Sequence, residues 1–180
     1  MRSASESKSI AIPQGVEIKL DGKVVTAKGP LGEVRRDFSY STVTIRRSDG
    51  ELTVEALWPN KKEASMVATI SSHIKNTIKG VTEGFIYRLK SVYAHFPLTV
   101  KVQDGSVIIE NFGGERSPRV AKIVGDTKVS VEGDDVTVKG LVLEDVSQTA
   151  ANIQQATRMK KRDPRVFLDG VYVYKESVEM

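Results

Sequence analysis

NKKEASMVATISSHIKNTIKGVTEGFIYRLKSVYAHFP, residues 60–97, is the stretch from which the rest of the chain can be read. Val67, Ile70, Ile74 and Ile78 recur at spacings of three and four, which lines their side chains along one face of an α-helix. Asn60 is placed to accept the first free backbone N–H groups, and Glu63 stands three residues on, where a capping box needs it. Gly80 is expected to take the left-handed conformation that ends a helix. The chain then turns through Val81–Gly84 into an alternating run, Phe85–Tyr93, that reads as a strand and is closed by Pro97.

Everything before this stretch is repeated after it. Upstream, Val16–Leu20 alternates as a half-buried strand, Asp21-Gly22 is a two-residue hairpin signal, and Lys23–Ala27 returns. Strands follow at Val34–Phe38, Val43–Ile45 and Leu52–Val54, with turns at Lys28–Glu33 and at Ser48-Asp49-Gly50. Downstream, Phe96-Pro97 echoes Ile12-Pro13, and Asp104-Gly105 stands between Val100–Val102 and Val107–Ile109. Gly113–Arg116 takes the place of Gly29–Glu33, and Val129–Val131 and Val136–Val138 flank Gly133-Asp134-Asp135. A second helix starts near Glu144, with Val146, Ala150, Ile153 and Thr157 on one face. Gly170–Val173 then mirrors Gly84–Tyr87.

The implied fold class is α+β with an internal duplication: two small domains, each an antiparallel sheet packed with one main helix. The expected division is a flexible arm at 1–9, rich in Ser and Lys, a first repeat at 10–81 and a second at 82–180. Trp58, just before Pro59 at the helix entry, reads as a core or staple residue.

Composition removes whole classes of chemistry. The chain has no cysteine and two histidines, so disulfides, thiolate metal sites and thiol nucleophiles are excluded. No run approaches the ~20 apolar residues of a membrane span, and no signal-peptide apolar region opens the chain. His73 borders the helix face and His95 sits in the turn between the repeats; neither stands beside a nucleophile, so no triad assembles. Enzyme, metal and cofactor are therefore not expected.

Charge is unevenly spread. Residues 1–94 carry a net +5 and residues 95–180 a net −1. Within that second half, Arg158, Lys160, Lys161, Arg162 and Arg165 form a basic knot on an otherwise acidic background, interrupted only by Asp163. The knot lies where the repeats differ: the second copy inserts Met159–Phe167 between its helix and final strand, and Pro164 bars a simple helical continuation. A loop lengthened and loaded with cations in only one copy points to a polyanion contact, against a solvated loop as the plain alternative.

Neither glycine segment has the closing Gly-Lys-Ser/Thr of a phosphate loop. Lys28–Glu33 reads as a wide hairpin turn. In Asn111-Phe112-Gly113-Gly114-Glu115-Arg116, the paired glycines beside Arg116 and Arg119 would allow backbone to come close to a phosphate. Gln148, Asn152, Gln155 and Arg158 give the second helix a polar side that suits solvent or an RNA backbone. Asp126, Glu132, Asp134 and Asp135 are expected on the side turned away from phosphate.

The run from Ile70 to Phe85, Ser91–Pro97, Lys28–Gly32, Val146–Ala156 and Phe167–Val173 together resemble the family of large-ribosomal-subunit protein six, in its archaeal and eukaryotic form. The likeness covers about residues 10–175 and leaves residues 1–9 without a counterpart. It implies a structural protein with no catalysis and no cofactor, located in cytoplasmic ribosomes. Its second domain would dock on large-subunit ribosomal RNA near the sarcin–ricin loop and the stalk base, supporting the translation-factor site. Neighbouring large-subunit proteins are the implied partners, without membrane or homo-oligomer. Mapped onto this chain, the RNA contacts fall on Asn111, Gly113, Gly114, Arg116, Arg119, Gln155, Arg158, Lys160, Lys161, Arg162 and Arg165. A free-standing two-domain RNA-binding protein acting outside the ribosome is the alternative.

Overall fold

The helix predicted from residue 60 onward forms as its caps dictate. In the computed structural model, which describes residues 5–48, 50–160, 163 and 165–177, α1 spans Lys61–Thr82. Asn60 Oδ1 accepts from Glu63 N at 2.9 Å and Glu63 Oε2 accepts from Asn60 N at 2.8 Å, a complete capping box. The helix does not stop at Gly80, which is buried within it; Glu83 caps it and Gly84, at φ 73°, supplies the left-handed residue.

The described residues divide into two compact units, meeting at Glu83/Gly84. In the first, β1 (Ser5–Ala11), β5 (Thr44–Ser48) and β6 (Glu51–Leu57) form a sheet of order β1-β6-β5, while β2 (Glu17–Asp21), β3 (Val24–Gly29) and β4 (Gly32–Asp37) form another in sequence order. α1 packs on β1, β3, β6 and β4, burying Val67, Ile70, Ile74 and Ile78 as the periodicity required.

In the second unit, β8 (Thr99–Gln103), β9 (Ser106–Glu110) and β10 (Arg119–Lys122) form a three-stranded sheet. β7 (Phe85–Val92), β11 (Lys128–Glu132), β12 (Asp135–Gly140) and β13 (Gly170–Ser177) form a four-stranded one of order β11-β12-β7-β13. α2 (Leu143–Ala156) packs on β10, β12, β7 and β13, burying Val146, Ala150 and Ile153. Every strand pairing among the described residues is antiparallel, so the α+β duplicated class holds.

The alignment of the copies needs correcting. β7 and β13 are not equivalents; they lie side by side in one sheet, with Gly170 opposite Val92 and Val173 opposite Leu89. The first-unit counterpart of β7 is β1, inside the segment expected to be a flexible arm. Ser5–Ser9 is a strand paired along β6 from Ser5–Leu57 to Ala11–Glu51. Its Ser and Lys side chains carry little apolar alternation, and Ile10 is its one buried residue, so backbone pairing makes the strand. Residues 1–4 lie outside the described residues.

Two smaller expectations also shift. The Asp104-Gly105 turn forms with both residues at positive φ (49° and 69°), but the first hairpin turns one residue later. There Asp21 pairs with Val24 and the loop is Gly22-Lys23. Trp58 is not core: at φ 49° the backbone swings it outward and it is 71% exposed. Of the Ser48-Asp49-Gly50 turn, Asp49 lies outside the described residues, while the Ser48–Glu51 pairing brackets it.

Candidate nucleic-acid interface

Two segments named from the sequence meet at the C-terminal end of α2. After β9, Asn111 (φ 58°) opens a 3₁₀ turn, Phe112–Gly114, with Gly113 and Gly114 at φ 61° and 79°. Phe112, only 1% exposed, is driven into the second unit's core, which holds the turn down. The paired glycines also serve packing here. A Cβ at Gly113 would stand 3.1 Å from Met159 Cε, and one at Gly114 would stand 3.3 Å from the Phe96 ring. Asn111 is likewise occupied, donating its Nδ2 to Pro97 O at 2.8 Å.

Arg119 joins the two segments. Its Nε and Nη2 donate to the two Glu115 carboxylate oxygens at 2.8 and 2.6 Å, and Nη1 donates to Ala156 O and Arg158 O at 2.8 and 3.1 Å. The guanidinium carbon sits 4.3 Å over the Phe112 ring. Carbonyls at a helix end carry partial negative charge and lack partners, so Arg119 satisfies and neutralises that end of α2. Its donors are turned inward and its role is a clamp. The hydrogen bonds from Arg119 hold the Glu115 carboxyl below its usual range.

Around this clamp Arg116, Gln155, Arg158 and Lys160 are exposed, and among the described residues none of the three cations meets a carboxylate. Arg165 is exposed but pairs with Asp163 at 3.0 Å, and its side-chain and backbone donors pull that carboxyl down. Lys161, Arg162 and Pro164 lie outside the described residues. On the polar side of α2, Gln148 donates to Asn152 and Asn152 donates to Lys122 O, so these amides are spent within the fold.

The third carboxylate here was missed in the sequence. Asp169, 2% exposed, accepts from Ala94 N at 3.1 Å, His95 N at 3.3 Å and His95 Nδ1 at 3.1 Å. Burial pushes its carboxyl up, and the His95 ring with the two backbone N–H groups outweighs that, leaving it below the usual range. The His95 ring lies 4.6 Å from that of Phe167. Asp169 follows an apolar run and precedes a strand, a pattern shared by ordinary turn residues, and nothing local marks a partner 74 positions away. Within 93–97, 111–119 and 155–169 the acids are Glu115, Asp163 and Asp169, and all three are engaged by donors.

The other acids are not all on the far side. Asp126 follows Gly125, which packs against Asp145 in the first turn of α2, so about 17 Å of helix lies between that contact and Ala156 at the clamp. Asp134 and Asp135, however, close the β11–β12 hairpin beside Ser91, whose N–H donates to Asp134 O at 2.7 Å. That is the end of β7 from which residues 93–98 leave, so this turn borders the region.

Beyond α2, two outward amides at the start of edge strand β13 are taken. Val171 N donates to Thr157 Oγ1 at 3.0 Å and Val173 N to Gln154 Oε1 at 3.1 Å. The ladder with β7 shifts register between Val173 and Lys175. Among the described residues no cluster of three or more His, Asp or Glu could hold a metal ion.

A duplicated α+β protein with a group of exposed cations around the end of its second helix is the class these observations define. The model of the family described as ribosomal protein L6 matches the chain twice, at residues 12–84 and 96–170, once per copy. Large ribosomal subunit protein uL6 of Methanosphaera stadtmanae is 51% identical over 96% of this chain and 95% of its own length. The protein of the same name from Methanobrevibacter smithii is 50% identical over 95% and 96%, and that from Archaeoglobus fulgidus 46% over 95% and 90%. The chain belongs to the ribosomal protein L6 family, whose members are structural and non-enzymatic.

Proposed function

We propose that this chain, a structural constituent of the large ribosomal subunit by its family and relatives, binds large-subunit ribosomal RNA mainly through its second unit in cytoplasmic ribosomes. It sits near the sarcin–ricin loop and the stalk base among other large-subunit proteins, and helps shape the translation-factor site. What supports the RNA-facing assignment is one arrangement: Arg119 ties residues 112–119 to the end of α2 and leaves Arg116, Arg158 and Lys160 outward, while each local acid is held by a donor. Segments whose own three carboxylates are engaged within the fold suit phosphate oxygens.

Two measurements test this. On sucrose gradients the protein tracks large subunits stoichiometrically; recovery only in free fractions would favour an RNA-binding role outside the ribosome. Binding to a large-subunit RNA transcript is then followed against salt. Replacing Lys160, Lys161 and Arg162 together by Ala flattens the log–log slope by roughly two to three units, since each phosphate contact contributes about −0.9 for B-DNA and somewhat less for RNA. Lys61→Ala with Lys62→Ala, in the first turn of α1, leaves it nearly unchanged. An unaltered slope in the triple variant would reduce the basic knot to a solvated loop.

A further inference from the structure

Phe96 is an aromatic side chain displayed in a place where the fold has no need to expose one. The neighbouring Leu98 and Phe112 fill the second unit's core, yet Phe96 remains 40% exposed. Its backbone is pinned from both sides. Asp169 binds the N–H groups of Ala94 and His95 just before it, and Asn111 holds the Pro97 carbonyl just after it. The ring is steadied from one face: the position of a Gly114 Cβ is 3.3 Å from both Cε1 and Cζ and 3.5 Å from Cε2. That contact lies over one face of the ring, so a stacking partner would use the opposite face. Gly114 belongs to the turn leading to Arg116, and Gly113 beside it meets Met159, which lies between Arg158 and Lys160.

We infer that Phe96 is a stacking platform for one unpaired nucleobase of the RNA, a refinement that rests on the RNA-binding reading above. Base faces are hidden inside an A-form duplex, so a protein aromatic can stack only on a base in a loop, bulge or end. Such contacts go with cations that hold the adjoining backbone, which Arg116, Arg158 and Lys160 supply. Phosphate contacts alone would give affinity without choice among RNA sites. A fixed ring among them selects a site that presents an open base, and its pinned backbone leaves little to order on binding. A protein neighbour covering the same ring is the competing occupant; the surrounding cations, which meet no carboxylate among the described residues, favour RNA.

The test uses the full chain, a large-subunit RNA transcript and a fully paired RNA duplex. Phe96→Leu, which keeps apolar volume against Gly114, is expected to weaken transcript binding about 5- to 150-fold with an unchanged salt slope. Duplex binding should not change. Arg116→Ala should instead flatten the slope. The chain has one tryptophan, so Trp58→Phe with Phe96→Trp places the only indole at the platform. Its fluorescence is expected to be quenched by the transcript and not by the duplex, a readout that does not depend on how well the Leu variant folds. Equal affinity of Phe96→Leu and wild type, or no quenching on a transcript that still binds, overturns the platform alone. Loss of a neighbouring large-subunit protein from reconstituted particles, with RNA affinity intact, overturns it in favour of protein docking. Failure of the wild-type chain to bind the transcript at all removes the RNA-binding reading and the platform with it.

Discussion

The two copies meet the same difficulty at their helix ends and solve it differently. In the first unit the β3–β4 connection is only Pro30-Leu31, and it lies directly on the end of α1: Leu31 N donates to Val81 O at 3.1 Å. A Cβ on Gly29 would collide with the Val81 backbone and stand 2.9 Å from Val81 Cγ2, so the hairpin docks only because that residue is glycine. In the second unit the matching connection spans residues 111–118, and the carbonyls at the end of α2 are filled by the Arg119 side chain. The step from helix to next strand grows as well, from 83–84 to 157–169. A backbone donor gives a short, closed and neutral junction. A guanidinium on a long loop does the same capping while holding open a surface where other cations can stand.

Core substitutions offer the hardest test that each copy is a separate packing unit. Phe112→Ala should cost about 3–5 kcal/mol in the second unit and Ile74→Ala about 2–5 kcal/mol in the first. Amide exchange read separately over α1 and α2 should show each loss confined to its own unit. Protection lost equally in both helices from either change would dissolve the comparison.

Next comes the clamp. Arg119→Leu leaves Glu115 without its partner and the Ala156 and Arg158 carbonyls without their donor, an expected loss of about 1–3 kcal/mol in the second unit only. Chemical denaturation with probes in β10 and α2 measures it; a variant as stable as wild type would show that the Arg119 contacts add nothing to the second unit's stability.

The smallest effect is acid sensitivity. Glu115, Asp163 and Asp169 in the second unit all have lowered carboxyls, against Asp37, lowered chiefly by Ser39, in the first. A group depressed in the folded state lends stability that is full above its unfolded pKa and lost as pH falls through the folded one. The second unit should therefore loosen more than the first below about pH 4. Asp169→Asn should remove part of that dependence; an identical pH profile in the variant would deny the Ala94–His95 latch any part in it.

Local signals carried far in this chain, and their reach explains what was legible. Asn60 and Glu63 act within one helical turn, and Ile70, Ile74 and Ile78 report a single face, so α1 could be read directly from residue spacing. β1 could not, because Ser5, Ser7 and Ser9 have no apolar rhythm and the strand exists only through its pairing with β6. The basic residues were visible as charge, but charge does not say which cation is spent. Arg119 and Arg165 are committed to Glu115 and Asp163, whereas Arg116 and Lys160 are not. Asp169 with His95, and Gly114 with Phe96, are partnerships between segments far apart in sequence, where composition and period are silent.

The covered edge of β13 bears on the life of the protein before assembly. A ribosomal component is made apart from its RNA, and an open sheet edge on a waiting chain is a template for other strands. Here the outward amides of Val171 and Val173 are already bonded to Thr157 and Gln154, and the register break after Val173 interrupts the ladder. A second chain approaching that stretch of the edge finds these two donors occupied. The same helix end that steadies the candidate RNA surface thus covers the first part of this edge, withdrawing two backbone donors from any strand that might pair there.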